Sequence, residues 1–178
     1  MSEHGFRQML DAISAELTQA LAGVDEREAR RLEEAVLAAG AVFVTGEGRS
    51  GLVARGLAMR LMQLGLRAYV VGETVTPAAR TEDLFVAISG SGETSVTRTH
   101  AVSAKALGMR VAVVTATSES PLAGLSDLRV LIPAESEQYG RSLFEQAALV
   151  LLDALTRVLQ DRLGLSATDL DARHANLE

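Results

Sequence analysis

The 178-residue chain has no cysteine, no tryptophan and only three prolines. Without cysteine there is no disulfide framework, no thiolate metal site and no thiol nucleophile. A reducing compartment suits such a chain, and the cytoplasm is the expected location. Aromatic residues make up 3% of the chain and hydrophobic residues as a whole 48%, so a core must be filled by Val, Leu, Ile and Ala. Lysine is nearly missing: of seventeen basic residues, Lys105 is the one lysine. It falls mid-helix, away from any glycine-rich loop, which argues against Schiff-base chemistry. The arginines are interspersed with acids and the net charge is −6, so no basic stripe marks a nucleic-acid partner. No long apolar run follows the polar opening Met1-Ser2-Glu3-His4, and neither a signal peptide nor a membrane span is expected. An anionic ligand of so acidic a chain must be attracted locally, by helix ends and hydroxyls, and not by the overall field.

What is present is an alternation. Residues 5–23 carry Phe6, Met9, Leu10, Ile13, Leu17 and Leu21 at helical spacing, one apolar stripe on an amphipathic helix. Asp25 reads as the N-cap of a second helix, 26–39, which Gly40 ends. Apolar runs then recur at 41–45, 67–71, 84–88, 110–115 and 128–132, with helices predicted at 52–64, 95–107 and 142–163. Short unbroken apolar runs separated by helices predict a parallel sheet covered on both faces. The fold class is therefore α/β: a three-layer α/β/α sandwich with a five-stranded parallel sheet, preceded by two N-terminal helices, in one domain over 1–178. The leading pair, 5–39, stands outside the alternation and is expected to pack on a neighbour or on another subunit. Ligands of such sheets bind beyond the carboxyl ends of the strands. The loops 46–51, 73–82, 89–94, 116–120 and 133–141 leave those ends and form the candidate site.

Its centre is Ser89-Gly90-Ser91-Gly92-Glu93-Thr94, between the run 84–88 and the helix from Ser95. A strand that stops at a Gly/Ser loop and restarts as a helix makes an anion site, because the first helical turn has unpaired N–H groups and a positive dipole end. Ser89, Ser91 and Thr94 add hydroxyls, and Gly90 lets the backbone come close to a ligand. No lysine is present, so this is not a P-loop. A plain strand-to-helix turn capped by Ser91 or Thr94 is the structural alternative. Gly46-Glu47-Gly48-Arg49-Ser50-Gly51 matches G-x-G-x-x-G, and Glu73 lies twenty-two residues beyond Gly51, which is how a dinucleotide fingerprint is written. A plain dinucleotide domain leaves the loop 89–94 without a role, and five strands leave no substrate domain. The rival reading has Gly48, Arg49 and Ser50 facing the same small phosphorylated ligand as Ser89 to Thr94.

Ser142-Leu143-Phe144-Glu145 has capping-box spacing. Alternatively, Glu145 opens a helix beside the site and serves as a general base. Of three histidines, His4 is expected in solvent, His100 in packing or at the surface, and His174 lies in the polar tail. No spacing of histidines and acids suggests a metal, and no metal or cofactor is expected.

Gly48-Arg49-Ser50-Gly51, Ala58 to Met62, Val70 to Thr74, Ser89 to Thr94, Ser142 to Gln146 and the ending Arg173-His174-Ala175-Asn176-Leu177-Glu178 resemble the 6-phospho-3-hexuloisomerase family. This family lies within the sugar isomerase (SIS) domain superfamily. The resemblance runs from the N-terminal helices to the last residue. The segment Ser89 to Thr94 is common to the superfamily, and the ending is more specific to this family. Glu47 departs from it, standing where a small residue is expected. The resemblance implies a flavodoxin-like SIS domain that interconverts D-arabino-hex-3-ulose 6-phosphate and D-fructose 6-phosphate through an enediol. It implies Glu145 as the base, with His174 as its acid–base partner, and a homo-oligomer (dimer or tetramer) in which the tail 165–178 reaches a neighbouring subunit. It also implies work beside hexulose-6-phosphate synthase in the ribulose monophosphate pathway, in formaldehyde fixation or pentose supply. A non-catalytic phosphosugar-binding module, or an isomerase of another phosphosugar, would share the sheet and the loops. The terminal motif and Glu145 separate these readings.

Overall fold

The computed structural model describes residues 5–136 and 138–176; His4 and the last two residues of the terminal motif lie outside the described residues. Two helices come first, α1 (Phe6–Ala22) and α2 (Glu26–Ala38). The alternation follows as β1 (Val42–Thr45), α3 (Arg49–Gln63), β2 (Ala68–Val70), β3 (Leu84–Ile88), α4 (Ser95–Ala106), β4 (Arg110–Thr115), β5 (Leu128–Leu131), α5 (Ser142–Arg162) and a short α6 (Ala167–Asp171). All five strands pair in parallel, in the order β2-β1-β3-β4-β5. This is the doubly wound order whose ligand crevice lies between β1 and β3.

The apolar runs are continuous because the central strands are buried on both faces. Val42, Val44, Val86, Ile88, Ala112 and Val114 point to one side, where α2, α3 and α5 cover them. Phe43, Phe85, Ala87, Val111 and Val113 point to the other, toward α4 with Met109 and Leu122. With aromatics so scarce, the tilted Phe43–Tyr69 pair, ring centroids 5.3 Å apart, is the one aromatic ring contact among the described residues. Asp25 caps α2 as its spacing predicts, accepting the Arg27 N–H at 2.8 Å. α2 then closes the β5 edge: Glu28 accepts the Leu131 N–H at 2.8 Å. An edge amide satisfied in this way is not available to a foreign strand.

No helix is expected between the runs 67–71 and 84–88, and the crossover from β2 to β3 contains none; the Thr76 hydroxyl donates to the Val70 carbonyl at 2.5 Å. Three features depart from the sequence reading. β2 is three residues long and half-buried, because it is the sheet's outer strand. The tail is not merely polar, since Ser166 and Asp169 form a capping box that starts α6. The α1 stripe is buried only toward its C-terminal end. Leu17, Ala20 and Leu21 reach the core, whereas Phe6 is 83% exposed and Met9 and Leu10 are both 40% exposed. None of the described helices is long and apolar enough to cross a membrane.

Candidate active site

At the carboxyl ends of β1 and β3 the chain leaves in opposite directions, α3 to one face and α4 to the other. The crevice between them opens into a cleft of about 780 Å³. Its walls come from the loops after β1, β3, β4 and β5 and from the start of α5. The loop 73–82 does not reach it, which corrects that part of the sequence reading. β2 lies one strand beyond the crevice, and its exit loop must run back to the amino end of β3.

Ser50, Ser89, Gly90, Ser91 and Thr94 all line the cleft. Ser50 and Ser89 are buried, at 8% and 3% exposure. Gly48 is the N-cap of α3 and Thr94 that of α4, and neither helix receives a side-chain cap. Two helix amino ends, with their unpaired N–H groups, are therefore open at one crevice. The serines are already oriented. Ser89 Oγ accepts the Gly92 N–H at 3.2 Å and Ser91 Oγ accepts the Glu93 N–H at 3.2 Å. A hydroxyl that accepts from the backbone keeps its own proton for a ligand. Gly92 is what allows this turn. Its φ is +64°, and a Cβ there would stand 2.1 Å from Ser120 Oγ.

The glycines of G-x-G-x-x-G have a different task. A Cβ on Gly51 would stand 2.7 Å from the Gly46 carbonyl oxygen, so they permit a tight β1–α3 junction. Glu73, which a dinucleotide reading assigns to a ribose, is outside the cleft and ion-paired to Arg55 at 2.6 Å. Glu47 lines the cleft mouth and is exposed.

Glu145 does not form the capping box that its spacing allows. α5 begins after Arg141, which is left-handed (φ 61°), and the Ser142 hydroxyl donates instead to the Tyr139 carbonyl at 2.7 Å. The Glu145 carboxylate is thereby released into the cleft. Its Oε1 is 3.5 Å from Arg49 Nη2, and its Oε2 is buried with no hydrogen-bond partner among the described residues. A buried polar atom left unpaired costs about 1–3 kcal/mol, and one that lines a cleft is available to a ligand there. Arg49 stands at the edge of the cleft, and its guanidinium also donates to the Gly140 carbonyl.

His174 is not brought to this site within one chain. It is exposed just beyond α6. The neighbouring Arg173 donates to the Gln63 carbonyl, at the far end of α3 from Ser50. The fifteen residues of α3 separate the two ends by roughly 22 Å. His100 is half-buried on α4, its Nδ1 3.1 Å from Thr45 Oγ1, and does not line the cleft. The sequence reading placed the loop 133–141 at the site but singled out neither Arg141 nor Phe144, both of which line the cleft. Phe144 lies inside the quoted Ser-Leu-Phe-Glu motif, whereas nothing local marks Arg141. The cleft wall is rich in carboxylates, with Glu47, Glu93, Glu119 and Glu135 beside Glu145. Such carboxylates disfavour an anion, so the groups left to attract one are the helix amino ends and hydroxyls of the loops after β1 and β3.

The SIS domain model matches residues 37–156, which span the sheet from before β1 through most of α5. The chain belongs to the SIS domain family. Within it, the chain is 43% identical to the 3-hexulose-6-phosphate isomerase of Mycobacterium gastri, over 95% of this chain and 89% of that protein. It is 36% identical to the 3-hexulose-6-phosphate isomerase of Bacillus subtilis, over 92% and 94%. This SIS domain also superimposes, with a TM-score of 0.88 and 32% identity, on a Methanococcus jannaschii protein whose crystal structure led to an inferred function of 3-hexulose-6-phosphate isomerase; 96% of this chain and 99% of that one are covered.

Proposed function

We propose that this SIS domain protein is a 3-hexulose-6-phosphate isomerase, interconverting D-arabino-hex-3-ulose 6-phosphate and D-fructose 6-phosphate. The observation that carries the reading is the under-bonded Glu145 carboxylate facing a hydroxyl-lined crevice, in a chain that matches such isomerases over nearly its whole length.

The 3-ulose phosphate reacts in open-chain form: its O6 carries the phosphate, and closure of O1 or O5 on C3 would give four-membered rings. The phosphate sits on Ser50, Ser89, Ser91, Thr94 and the amino ends of α3 and α4, with Gly48 and Gly90 giving it backbone access. Binding energy from this non-reacting end orients the carbons. Glu145 takes the C2 proton as a carboxylate, and the electron pair moves into a C2=C3 enediol. The carboxylic acid so formed returns the proton to C3, while O2 gives up a proton and O3 gains one. The ketone then stands at C2. A base for such a step works within hydrogen-bond reach of its proton.

The oxygen exchange is assigned to His174 of a neighbouring subunit, since its own chain holds it at the far end of α3. Exposed apolar side chains support assembly as a homo-oligomer: Phe6, Met9 and Leu10 on α1, and Leu52, Met59 and Met62 on α3. Such faces mark interaction surfaces. In the cell, the enzyme is placed in the cytoplasm, working after hexulose-6-phosphate synthase in the ribulose monophosphate pathway.

The test is a coupled assay with purified protein, in which 3-hexulose 6-phosphate is generated in place and fructose 6-phosphate is followed. Rapid turnover supports the proposal. If there is no turnover but the phosphosugar raises the melting temperature, the chain is a phosphosugar-binding module or acts on another sugar.

A further inference from the structure

The segment between β5 and α5 forms one wall of the cleft and delivers Glu145, yet most of it has no regular secondary structure. It ends in two successive left-handed residues, Gly140 (φ 64°) and Arg141 (φ 61°). Arg141 is the one non-glycine residue with positive φ among those described. Such a conformation persists only where its surroundings over-determine it. At the helix end the holding contacts are local to the site: Arg49 donates to the Gly140 carbonyl, and Ser142 to the Tyr139 carbonyl. At the strand end they come from α1, which has no other role in the cleft. Glu16 Oε2 accepts the Ser136 hydroxyl at 2.5 Å and the Gln138 side-chain N–H at 2.7 Å. Ser136 Oγ in turn accepts the Gln138 backbone N–H at 2.9 Å. The hydrogen bonds from Ser136 and then Gln138 hold the Glu16 carboxyl below the ordinary glutamate range, against a smaller opposing effect of burial. The acceptor therefore stays charged at neutral pH. α1 is itself seated against the same segment, since a Cβ on Gly23 would stand 2.4 Å from Pro133 Cγ.

We propose that Glu16 is a positioning residue of the isomerase: from α1 it fixes the β5–α5 loop so that Glu145 meets the sugar. The proposal rests on the reading of Glu145 as the base. Glu16 touches neither substrate nor reacting atoms, and the phosphate contacts on the loops after β1 and β3 do not pass through it. Its removal therefore lowers kcat and spares KM.

The experiment compares Glu16→Ala, Glu16→Gln and a loop-side variant, Ser136→Ala with Gln138→Ala, beside Glu145→Gln. Steady-state kinetics are read together with amide hydrogen exchange over 133–142 and the melting temperature. In Glu16→Ala, kcat is expected to fall about 10- to 100-fold, the scale of a small misplacement of a reacting group, with KM within about twofold. Exchange is expected to rise in 133–142 and not across the sheet. Glu16→Gln keeps one acceptor oxygen and recovers part of kcat, and the loop-side variant repeats the loss. Full kcat in Glu16→Ala, or a loss of kcat accompanied by raised exchange throughout the sheet, would overturn the proposal. If Glu16→Ala does not fold, the loop-side variant decides by the same criteria. An active Glu145→Gln removes the base reading itself. An inactive Glu145→Gln beside a fully active Glu16→Ala removes only the role given to Glu16.

Discussion

Replacing Glu145 by glutamine keeps the shape of the side chain and removes its ability to accept a carbon-bound proton. The structure fixes how little stability this should cost. The contact with Arg49 is long, 3.5 Å, and the Arg49 side chain is 46% exposed, so the pair is worth at most about 1 kcal/mol. Oε2 is already buried without a partner. An amide placed there exchanges one unpaired group for another, a change within about 1–2 kcal/mol. For a domain of this size, 1 kcal/mol moves the melting temperature by about 2–4 °C, so the variant stays folded at 25 °C. Turnover, in contrast, should fall by roughly 10² or more, the usual scale for loss of a general acid–base, or about 2.7 kcal/mol of barrier. KM should change little, because the hydroxyls of Ser50, Ser89, Ser91 and Thr94, to which phosphate binding is assigned in the proposed function, are untouched. The coupled fructose 6-phosphate assay and a thermal melt on the same sample read both quantities. A glutamine variant with more than a tenth of wild-type turnover would refute the base assignment. So would a loss of activity that a melting shift beyond about 10 °C explains.

Gly92→Ala places a Cβ 2.1 Å from Ser120 Oγ at a φ of +64°, so the phosphate loop must shift; KM is expected to rise at least about tenfold, beyond the cost of a strained backbone alone, and an unchanged KM would place the phosphate elsewhere. Burial alone would push the Asp127 carboxyl up, but the Lys105 ammonium at 2.7 Å and the Val111 N–H at 2.8 Å outweigh it and hold the carboxyl below the ordinary aspartate range. Its contribution to stability is therefore present above that range and is lost as pH falls through the depressed value. Urea melts of Asp127→Asn should show a deficit at pH 7 that closes on acidification; a deficit independent of pH would contradict the sign. Co-refolding Glu145→Gln with His174→Ala subunits should restore activity that neither has alone, if the site is shared between subunits. No recovery in mixed oligomers, confirmed by native mass spectrometry, would return His174 to its own chain or remove it from the mechanism.

What the sequence determined by itself was short-range. The apolar runs at 41–45, 84–88 and 110–115 became central strands because a strand buried on both faces needs no alternation, and that pattern lies within each run. The segment Ser89 to Thr94 was legible as a strand-to-helix loop at the cleft because a strand end, glycines and a helix start are all neighbours in the chain. The Ser166–Asp169 capping box was equally local and could have announced α6. Tertiary structure decided wherever a local signal admitted two outcomes. The Ser142–Glu145 spacing fits a capping box, and only the left-handed turn at Gly140 and Arg141 sends Glu145 into the cleft instead. Glu73 fits a dinucleotide fingerprint, and only its pairing with Arg55 withdraws it. The loop 73–82 leaves a strand's carboxyl end, yet strand order places it one strand too far from the crevice. Glu16 gave no sequence signal at all: its partners, Ser136 and Gln138, lie more than a hundred residues away. Propensity and periodicity act over a few residues, whereas a site wall is made by groups that meet only after the sheet has closed.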